Sequence, residues 1–491
     1  MNSPVEELLQ RFVKIDKKGS TAVYIQLAQQ IINSIQRGIL PPGSALPGTR
    51  PMSRLLHLHR NTVVSAYDEL ASQGWIEIIP NRGSFVMRNK SQNLKSTATI
   101  SNNTVPLQTG FDFHQAHHLE PVFETNEAPI VFSDGQPDLR MLSVSNLSRW
   151  YTASMKRTKI KEALGSHQKT SVAYEKQLCN FLNLSRGFHT APENLLTTRS
   201  PEMSLYLISQ LLFRPGDIVL VGTPSYFLAN MIFHQAGAKI VTIPIDAQGL
   251  NVDFIRKKFK KGSIRCVYCT PQRHYPTTVT LSLERRFDLM NLANEYGFAI
   301  IEDDFDYDFQ YESFPMPPMS IADDNGMVIY MGRFGQSLLP SFQTGFVIAP
   351  QNLIQAAKNY RQMIDHHGDF VMEQVLAQMI HEGEIHRLLK KSIQRYKKRC
   401  ELFCEAIDTQ FGNRIEWKKP NGGLAVWIQF KPTISLTKLA AQARKIGLEL
   451  PNYLLYQDRN ICGIRLGFGQ FNEEEIPEVV AKLRQAYDLC F

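Results

Sequence analysis

Between Tyr24 and Arg37 apolar residues recur at Ile25, Ala28, Ile31, Ile32 and Ile35, which is the spacing of one helical stripe, and Gly38 supplies a stop. Pro41-Pro42-Gly43 marks a turn. Leu46-Pro47-Gly48-Thr49-Arg50 then starts a second helix carried by Met52, Leu55 and Leu56. After a short break at Leu58-His59-Arg60, a third helix is expected over Asn61 to Leu70, with Val63, Val64, Tyr67 and Leu70 facing inward. Two short strands follow between Gly74 and Val86, about a turn at Asn81-Arg82-Gly83. Helix, turn, helix and a hairpin with a basic tip is the plan of a winged helix-turn-helix.

Farther along, the pattern changes. Residues 89–126 are rich in Ser, Thr, Asn and Gln with little apolar periodicity, the composition of a flexible linker. From residue 127 onward, apolar runs such as Asp217–Val221, Lys239–Ile243 and Phe298–Ile301 alternate with amphipathic helices. That alternation predicts a mainly parallel sheet covered on both sides. The expected division is a winged helix over 17–88, a linker over 89–126 and a large domain over 127–491, with a small subdomain from about residue 385.

Composition narrows the function. A chain of 491 residues with 43% hydrophobic residues is globular and too long for one ordinary domain. No run reaches the roughly 18 apolar residues of a membrane span, and the first twenty residues lack a secretory core. A cytoplasmic protein is expected, nucleoid-associated when bound to DNA. Seven cysteines form no framework. Cys266 and Cys269 sit on a predicted strand, where a three-residue separation puts them on opposite faces, wrong for a shared metal. Cys400 and Cys404 share a helical face without further ligands nearby. No metal is expected.

The net charge of +8 matters through its placement. Residues 17–90 hold nine Lys and Arg against three acids. Arg60, Asn61 and Thr62 lie at the start of the third helix, the end that enters the major groove in this architecture. Arg reads guanine bidentately, Asn reads adenine, and Thr with the helix N-terminus suits phosphate. Arg82 at the hairpin tip is placed for the minor groove or a phosphate. Double-stranded DNA is therefore the expected partner.

Two resemblances sharpen this reading. Leu46-Pro-x-x-Arg50, Leu58-His-Arg-Asn-Thr-Val63, Ala66-Tyr67-Asp-Glu-Leu70, Gly74-Trp75-Ile76 and Arg82-Gly-Ser-Phe-Val86 resemble the GntR-family DNA-binding domain. The resemblance implies DNA contacts at Arg50, Arg60, Thr62 and the wing, Arg82-Gly83. The remainder resembles the fold-type I aminotransferase domain of MocR-type regulators. The stretches are Phe132-Ser-Asp-Gly-Gln-Pro-Asp-Leu139, Arg214-Pro-Gly-Asp-Ile-Val-Leu-Val221, Asp246-Ala-Gln-Gly-Leu250, Tyr275-Pro-Thr277, Ile301-Glu-Asp-Asp304, Gly332-Arg-Phe334 and Arg465-Leu-Gly-Phe468. The expected fold is thus a winged helix-turn-helix (α+β) joined to an α/β fold-type I aminotransferase-like domain with a small C-terminal α+β subdomain.

That resemblance implies a pyridoxal phosphate site, and the sequence departs from it at several places. Gln336 stands where the family has its Schiff-base lysine, and an amide forms no imine. No lysine occurs between Lys261 and Lys358. Gln343 replaces the family's phosphate-binding arginine, a loss on the order of 2–3 kcal/mol. Phe305 lacks the hydroxyl of the family's Asp-Asp-Tyr, Thr198-Arg199-Ser200-Pro201-Glu202 replaces a glycine-containing phosphate turn, and Thr278 replaces a glycine. Tyr226, Asp303 and Arg465 keep the types that stack on the cofactor ring, pair its nitrogen and clamp a substrate carboxylate.

No catalytic residue and no covalent cofactor are expected. The favoured reading is a homodimeric transcription regulator whose aminotransferase-like domain dimerises and senses a small effector such as an amino acid at Arg465. An enzyme holding pyridoxal or pyridoxamine phosphate noncovalently, with His274 moving protons, is the alternative. A winged helix that binds protein in place of DNA is a third.

Overall fold

The structure is a computed structural model. It describes residues 9, 13, 15–16, 21–36, 39–80, 82–87, 109–112, 128–141, 144–156, 171–311, 316–335, 344–366 and 368–491. Gly38, Asn81, Gln336, Gln343 and nearly all of residues 89–126 lie outside that set. The chain forms two compact units, Met1–Phe113 and His114–Phe491.

In the first unit three helices, α1 (Val23–Gln36), α2 (Thr49–Leu55) and α3 (Arg60–Ser72), pack with a small antiparallel sheet. Its strands are β1 (Ala45–Leu46), β2 (Ile76–Ile79) and β3 (Gly83–Val86), in the order β1-β3-β2. Leu27, Ala28, Ile31 and Ile32 of α1 meet Met52, Val63, Ala66, Tyr67 and Leu70 in one core. Three details correct the sequence reading. Ile25 is 42% exposed, because the stripe centres on Leu27 and Ile31 and leaves Ile25 near its margin. Ala66, not the half-buried Val64, completes the inner side of α3. Helix α2 begins at Thr49, and Ala45–Leu46 just before it pairs with β3 as a strand.

The second unit opens with β4 (Ile130–Val131). Its main sheet contains β5 (Leu195–Thr198), β6 (Ile218–Thr223), β7 (Lys239–Asp246), β8 (Gly249–Leu250), β9 (Cys266–Cys269), β10 (Ala299–Asp304), β11 (Val328–Phe334) and β12 (Thr344–Ile348). The order is β5-β12-β11-β10-β9-β6-β7-β8. Strands β6, β7, β9, β10 and β11 run parallel, while β12 is antiparallel to both neighbours and β8 to β7. Burial on both faces explains the apolar runs of β6, β9, β10, β11 and β12, while β7 is only partly covered. Along β9, Cys266 and Tyr268 enter one core and Val267 and Cys269 the other, so the two cysteines face opposite ways. Helices Pro201–Leu212, Phe227–Gln235 and Gln351–Ile364 cover the first of these faces, and Val252–Lys258 and Leu283–Tyr296 the second.

Local chemistry fixes where these helices start. Ser171, Ser200, Asn251 and Ser282 each accept an N–H of the first turn with their side chain. At Gly345 the need is spatial, since a Cβ there would lie 2.3 Å from the Ser200 carbonyl oxygen. The C-terminal region adds β13 (Ile415–Trp417), β14 (Ala425–Phe430), β15 (Leu448–Glu449), β16 (Leu455–Gln457) and β17 (Cys462–Gly467). Four of them form a sheet in the order β13-β14-β17-β16, packed on helices Glu384–Phe411, Leu436–Lys445 and Glu475–Asp488. Strand β15 pairs in parallel with β4, which carries Phe132 into this same core. No helix among the described residues is long and apolar enough to cross a membrane.

Candidate functional sites

The first unit presents the N-terminal end of α3. Helix α3 starts one residue earlier than its apolar pattern suggests, because His59 caps it, with Nδ1 accepting the Asn61 N–H at 3.3 Å. Tyr67 donates its hydroxyl to the Pro47 carbonyl at 2.7 Å, tying the middle of α3 to the turn before α2. Ser53 donates to the Leu58 carbonyl at 2.6 Å and closes the turn between the two helices. On this rigid support Arg50, Arg60 and Asn61 are exposed and Thr62 is half-buried. Arg60 reaches Thr49 Oγ1 at 3.5 Å, which brings the starts of α2 and α3 together. Arg82 and Gly83 are exposed at the hairpin, where Gly83 has a φ of 115°. Among the described residues no carboxylate forms an ion pair with Arg50, Arg60 or Arg82. A row of unneutralised donors at a helix start is suited to phosphates and base edges.

The second unit has a pocket at the C-terminal ends of β9, β10 and β11, where an open α/β sheet places its ligands. Asp134, Tyr226, Tyr275, Asp303, Arg333 and Arg465 are among its lining residues. Only about 30 Å³ is open to the centre of a water molecule, room for one or two waters.

Strand alternation sorts the acids of β10. Asp303 faces the pocket side, where Oδ2 accepts from the Tyr268 hydroxyl at 2.7 Å and Oδ1 has no partner. Burial pushes its carboxyl up to about 6 against the pull of that hydrogen bond and of Arg333. Asp304 turns to the other side and accepts from Tyr330 at 2.8 Å. Nearby, the buried Arg186 pairs with Asp308 at 3.2 Å and lies 4.3 Å from the centre of the Tyr307 ring.

Arg333, near the end of β11, is the group that the sequence reading passed over. Its side chain is half-buried, its Nε has no partner, and its guanidinium lies 4.0 Å from the Glu202 carboxylate. Burial opposes its charge, but Tyr226, Glu202, Asp303 and Asp134 together hold its pKa above the ordinary value. Glu202 belongs to the first turn of helix Pro201–Leu212, where Ser200 Oγ takes the Met203 N–H at 3.1 Å and Pro201 has no N–H to give.

Arg465, on β17, is 2% exposed. It donates from Nε to the Asp134 carbonyl at 2.9 Å and from a terminal nitrogen to the Pro276 carbonyl at 3.1 Å. The guanidinium lies over the Tyr275 ring at 4.7 Å and the Phe305 ring at 5.7 Å, and no carboxylate among the described residues pairs with it. Tyr226 meets Tyr275 edge-on, with ring centroids 4.8 Å apart.

Residues 129–483 match the family described as aminotransferase class I and II. The chain belongs to that family. Ahead of this aminotransferase-family region, residues 23–86 match the bacterial regulatory proteins of the gntR family. The fold is therefore an N-terminal GntR helix-turn-helix followed by a fold-type I aminotransferase fold with a mixed, mainly parallel sheet. The uncharacterized HTH-type transcriptional regulator YdfD of Bacillus subtilis is 26% identical over 468 residues, covering 94% of this chain and 95% of its own. The probable rhizopine catabolism regulatory protein MocR of Rhizobium meliloti is 24% identical over 476 residues, 96% and 95% of the two chains. An archaeal alanine:glyoxylate aminotransferase structure superposes with a TM-score of 0.69 at 24% identity, over 74% of this chain and 91% of that one.

Two further positions of this aminotransferase-family domain bear on its chemistry. His274 is buried outside the pocket lining, with Nδ1 2.9 Å from Thr277 Oγ1. Burial, aided by the Arg465 charge, pushes its pKa down to about 3, so the ring is neutral near pH 7. Thr278 has a φ of 60°, a left-handed conformation that suits the glycine of the family turn and strains a β-branched side chain. The structure thus brings Tyr226, Asp303 and Arg465 to one pocket and leaves His274 behind its wall. Among the described residues no cluster of His, Cys, Asp and Glu could hold a metal ion.

Proposed function

We propose that the protein is a sequence-specific, DNA-binding transcription regulator of the MocR type. The observation that carries this reading is the exposed, unneutralised group at the start of α3, Arg60 and Asn61 with the half-buried Thr62, inside a gntR-family domain. Arg50, Arg82 and Gly83 extend the contact to the flanking helix and the wing. The full-length similarity to MocR and to YdfD supports it. A genome-wide binding map should show discrete promoter sites that weaken in an Arg60→Ala variant. A flat map would sink the reading.

In this proposal the aminotransferase-like domain dimerises and senses an effector, and it does no catalysis. Family resemblance implies pyridoxal phosphate, but the residues present do not fit it. The helix start that would take the phosphate has its Met203 N–H capped by Ser200, lacks an N–H at Pro201 and carries the Glu202 carboxylate. The Arg333 cation lies among Glu202, Tyr226 and Asp303. Gln336 and Gln343, read from sequence as replacements for the Schiff-base lysine and a phosphate arginine, agree with this. Arg465 remains a receptor for an amino-acid carboxylate, buried and held from behind by two carbonyls. Titration calorimetry with an amino-acid panel should give saturable heat that Arg465→Met abolishes.

A second reading, noncovalent cofactor binding by an enzyme, is favoured only by the unpartnered Asp303 Oδ1, an acceptor of the kind a pyridine nitrogen uses. Retained cofactor after desalting would support it. The proposal also places the protein in the cytoplasm as a homodimer, with its domains at 17–88 and 127–491 and a linker at 89–126.

A further inference from the structure

Helix Glu384–Phe411 spans 28 residues, and its outer face is strongly basic. Residues 385–400 contain seven Lys and Arg and no acid. Residues 17–90 hold nine against three, so the rest of the chain carries more acids than bases. The winged helix and this helix thus carry much of the positive charge, and a shorter basic run lies at Arg256–Lys261.

At 100° per residue, Arg387, Lys390, Lys391, Arg395, Lys397 and Lys398 fall within one arc of the helix, and all six are exposed. Ile385, Tyr396, Cys400 and Phe403 fill the opposite arc and are buried. Arg399 turns inward and pairs with Asp138 at 2.9 Å, while Arg387 pairs with Glu384 at 2.7 Å. Among the described residues no carboxylate forms an ion pair with Lys390, Lys391, Arg395, Lys397 or Lys398.

The helix pays for this arrangement. Arg387 and Lys391, and Lys391 and Arg395, are like charges four residues apart, which repel on one face. The cations occupy the half nearer the N-terminus and Glu401, Glu405 and Asp408 the other half, the reverse of what the helix dipole favours. Packing explains the apolar arc and leaves the charged one unexplained. From Arg387 to Lys398 the face runs about 16 Å, and duplex DNA offers about one phosphate charge per 1.7 Å of its axis.

We propose that this face of helix Glu384–Phe411 is a second contact surface for the phosphate backbone of duplex DNA. The inference rests on the DNA-binding reading above and adds to it a sequence-independent contact on the second unit. Such a contact strengthens binding to every sequence alike and contributes no base discrimination.

The test compares the full chain with a variant in which Lys390, Lys391, Arg395 and Lys398 are all changed to Gln. A second variant, with Lys257, Lys258, Lys260 and Lys261 changed to Gln, has the same net charge. Binding to a long mixed-sequence DNA duplex is measured across a salt series. The slope of log affinity against log salt should become shallower by about three to four in the first variant, at about 0.9 per phosphate released. It should change far less in the second. Relief of the like-charge repulsion should also raise the melting temperature of the first variant, which verifies that it is folded. Equal slopes in both variants overturn the proposal while leaving the winged helix in place. Absent binding by the unmodified chain overturns both readings. If the first variant keeps its DNA slope but loses binding to phosphatidylserine vesicles, the face belongs to an acidic membrane and the proposal fails.

Discussion

Arginine dominates both candidate sites, in opposite settings. At the start of α3, Arg50 and Arg60 stand in solvent without a carboxylate partner among the described residues, on a scaffold fixed by Tyr67, Ser53 and His59. In the pocket, Arg333 and Arg465 are enclosed, one beside Glu202 and Asp303 and the other clasped by the carbonyls of Asp134 and Pro276. An exposed cation keeps its charge available to a polyanion arriving from solution. An enclosed cation is reached only by a ligand that displaces what already lines the pocket. The difference separates a surface open to its partner from a cavity that must widen to admit one.

The sharpest way to break this contrast is to add pyridoxal phosphate. Purified protein should retain none after desalting, and Gln336→Lys alone should not restore retention, because Glu202, Pro201 and Arg333 remain. Stable, stoichiometric cofactor in either protein would erase the distinction. Next in size, Arg273→Ala should cost about 3–5 kcal/mol in a urea melt, since it strands the buried Asp306 carboxylate now 2.7 Å from the Arg273 guanidinium. A loss near zero would mean that the enclosed charges of this domain are not mutually dependent.

Arg60→Ala should cost about 1–3 kcal/mol of operator affinity and relax base discrimination at one position. Unchanged affinity and selectivity would remove Arg60 from the recognition surface. Thr278→Gly should stabilise the second unit by about 1 kcal/mol through relief of its left-handed strain, read as an increase in melting temperature.

The pH dependence should be graded. Burial pushes the folded pKa of His274 down to about 3 from an ordinary value of 6.5. Its contribution to stability is therefore complete above about pH 6.5 and is lost as the pH falls toward 3. His274→Gln should flatten that part of the acid-side decline in denaturant melts. An undiminished slope between pH 7 and pH 5 would show that His274 takes up protons in the folded state as readily as in the unfolded one.

Much of the architecture could be read in the chain because each element declares its own period. The winged helix is visible through 3.6-residue stripes cut by Pro and Gly, and the main sheet through apolar runs buried on both faces. What stayed hidden depends on partners far apart in sequence. Ile25 lies at the margin of its stripe, and only packing decides which residues of α1 are covered. The two-residue strand β1 is too short to show a period. Arg333 looks in sequence like an interruption of the β11 run, because Glu202, Tyr226 and Asp303 reach it from three separate segments. The motifs located the pocket on the fold, but its reorganised charge became legible only once those segments were brought together.

The parallel pairing of β4 with β15 has a mechanical corollary. Among the described residues, Ile130 and Val131 are the first paired strand residues of the second unit, and their partners, Leu448 and Glu449, lie some three hundred residues later in the C-terminal layer. Tension applied to the backbone at Ile130 would load this short ladder before the central strands. Truncating the chain before Leu448 would cast off that mooring at the opposite end of the domain.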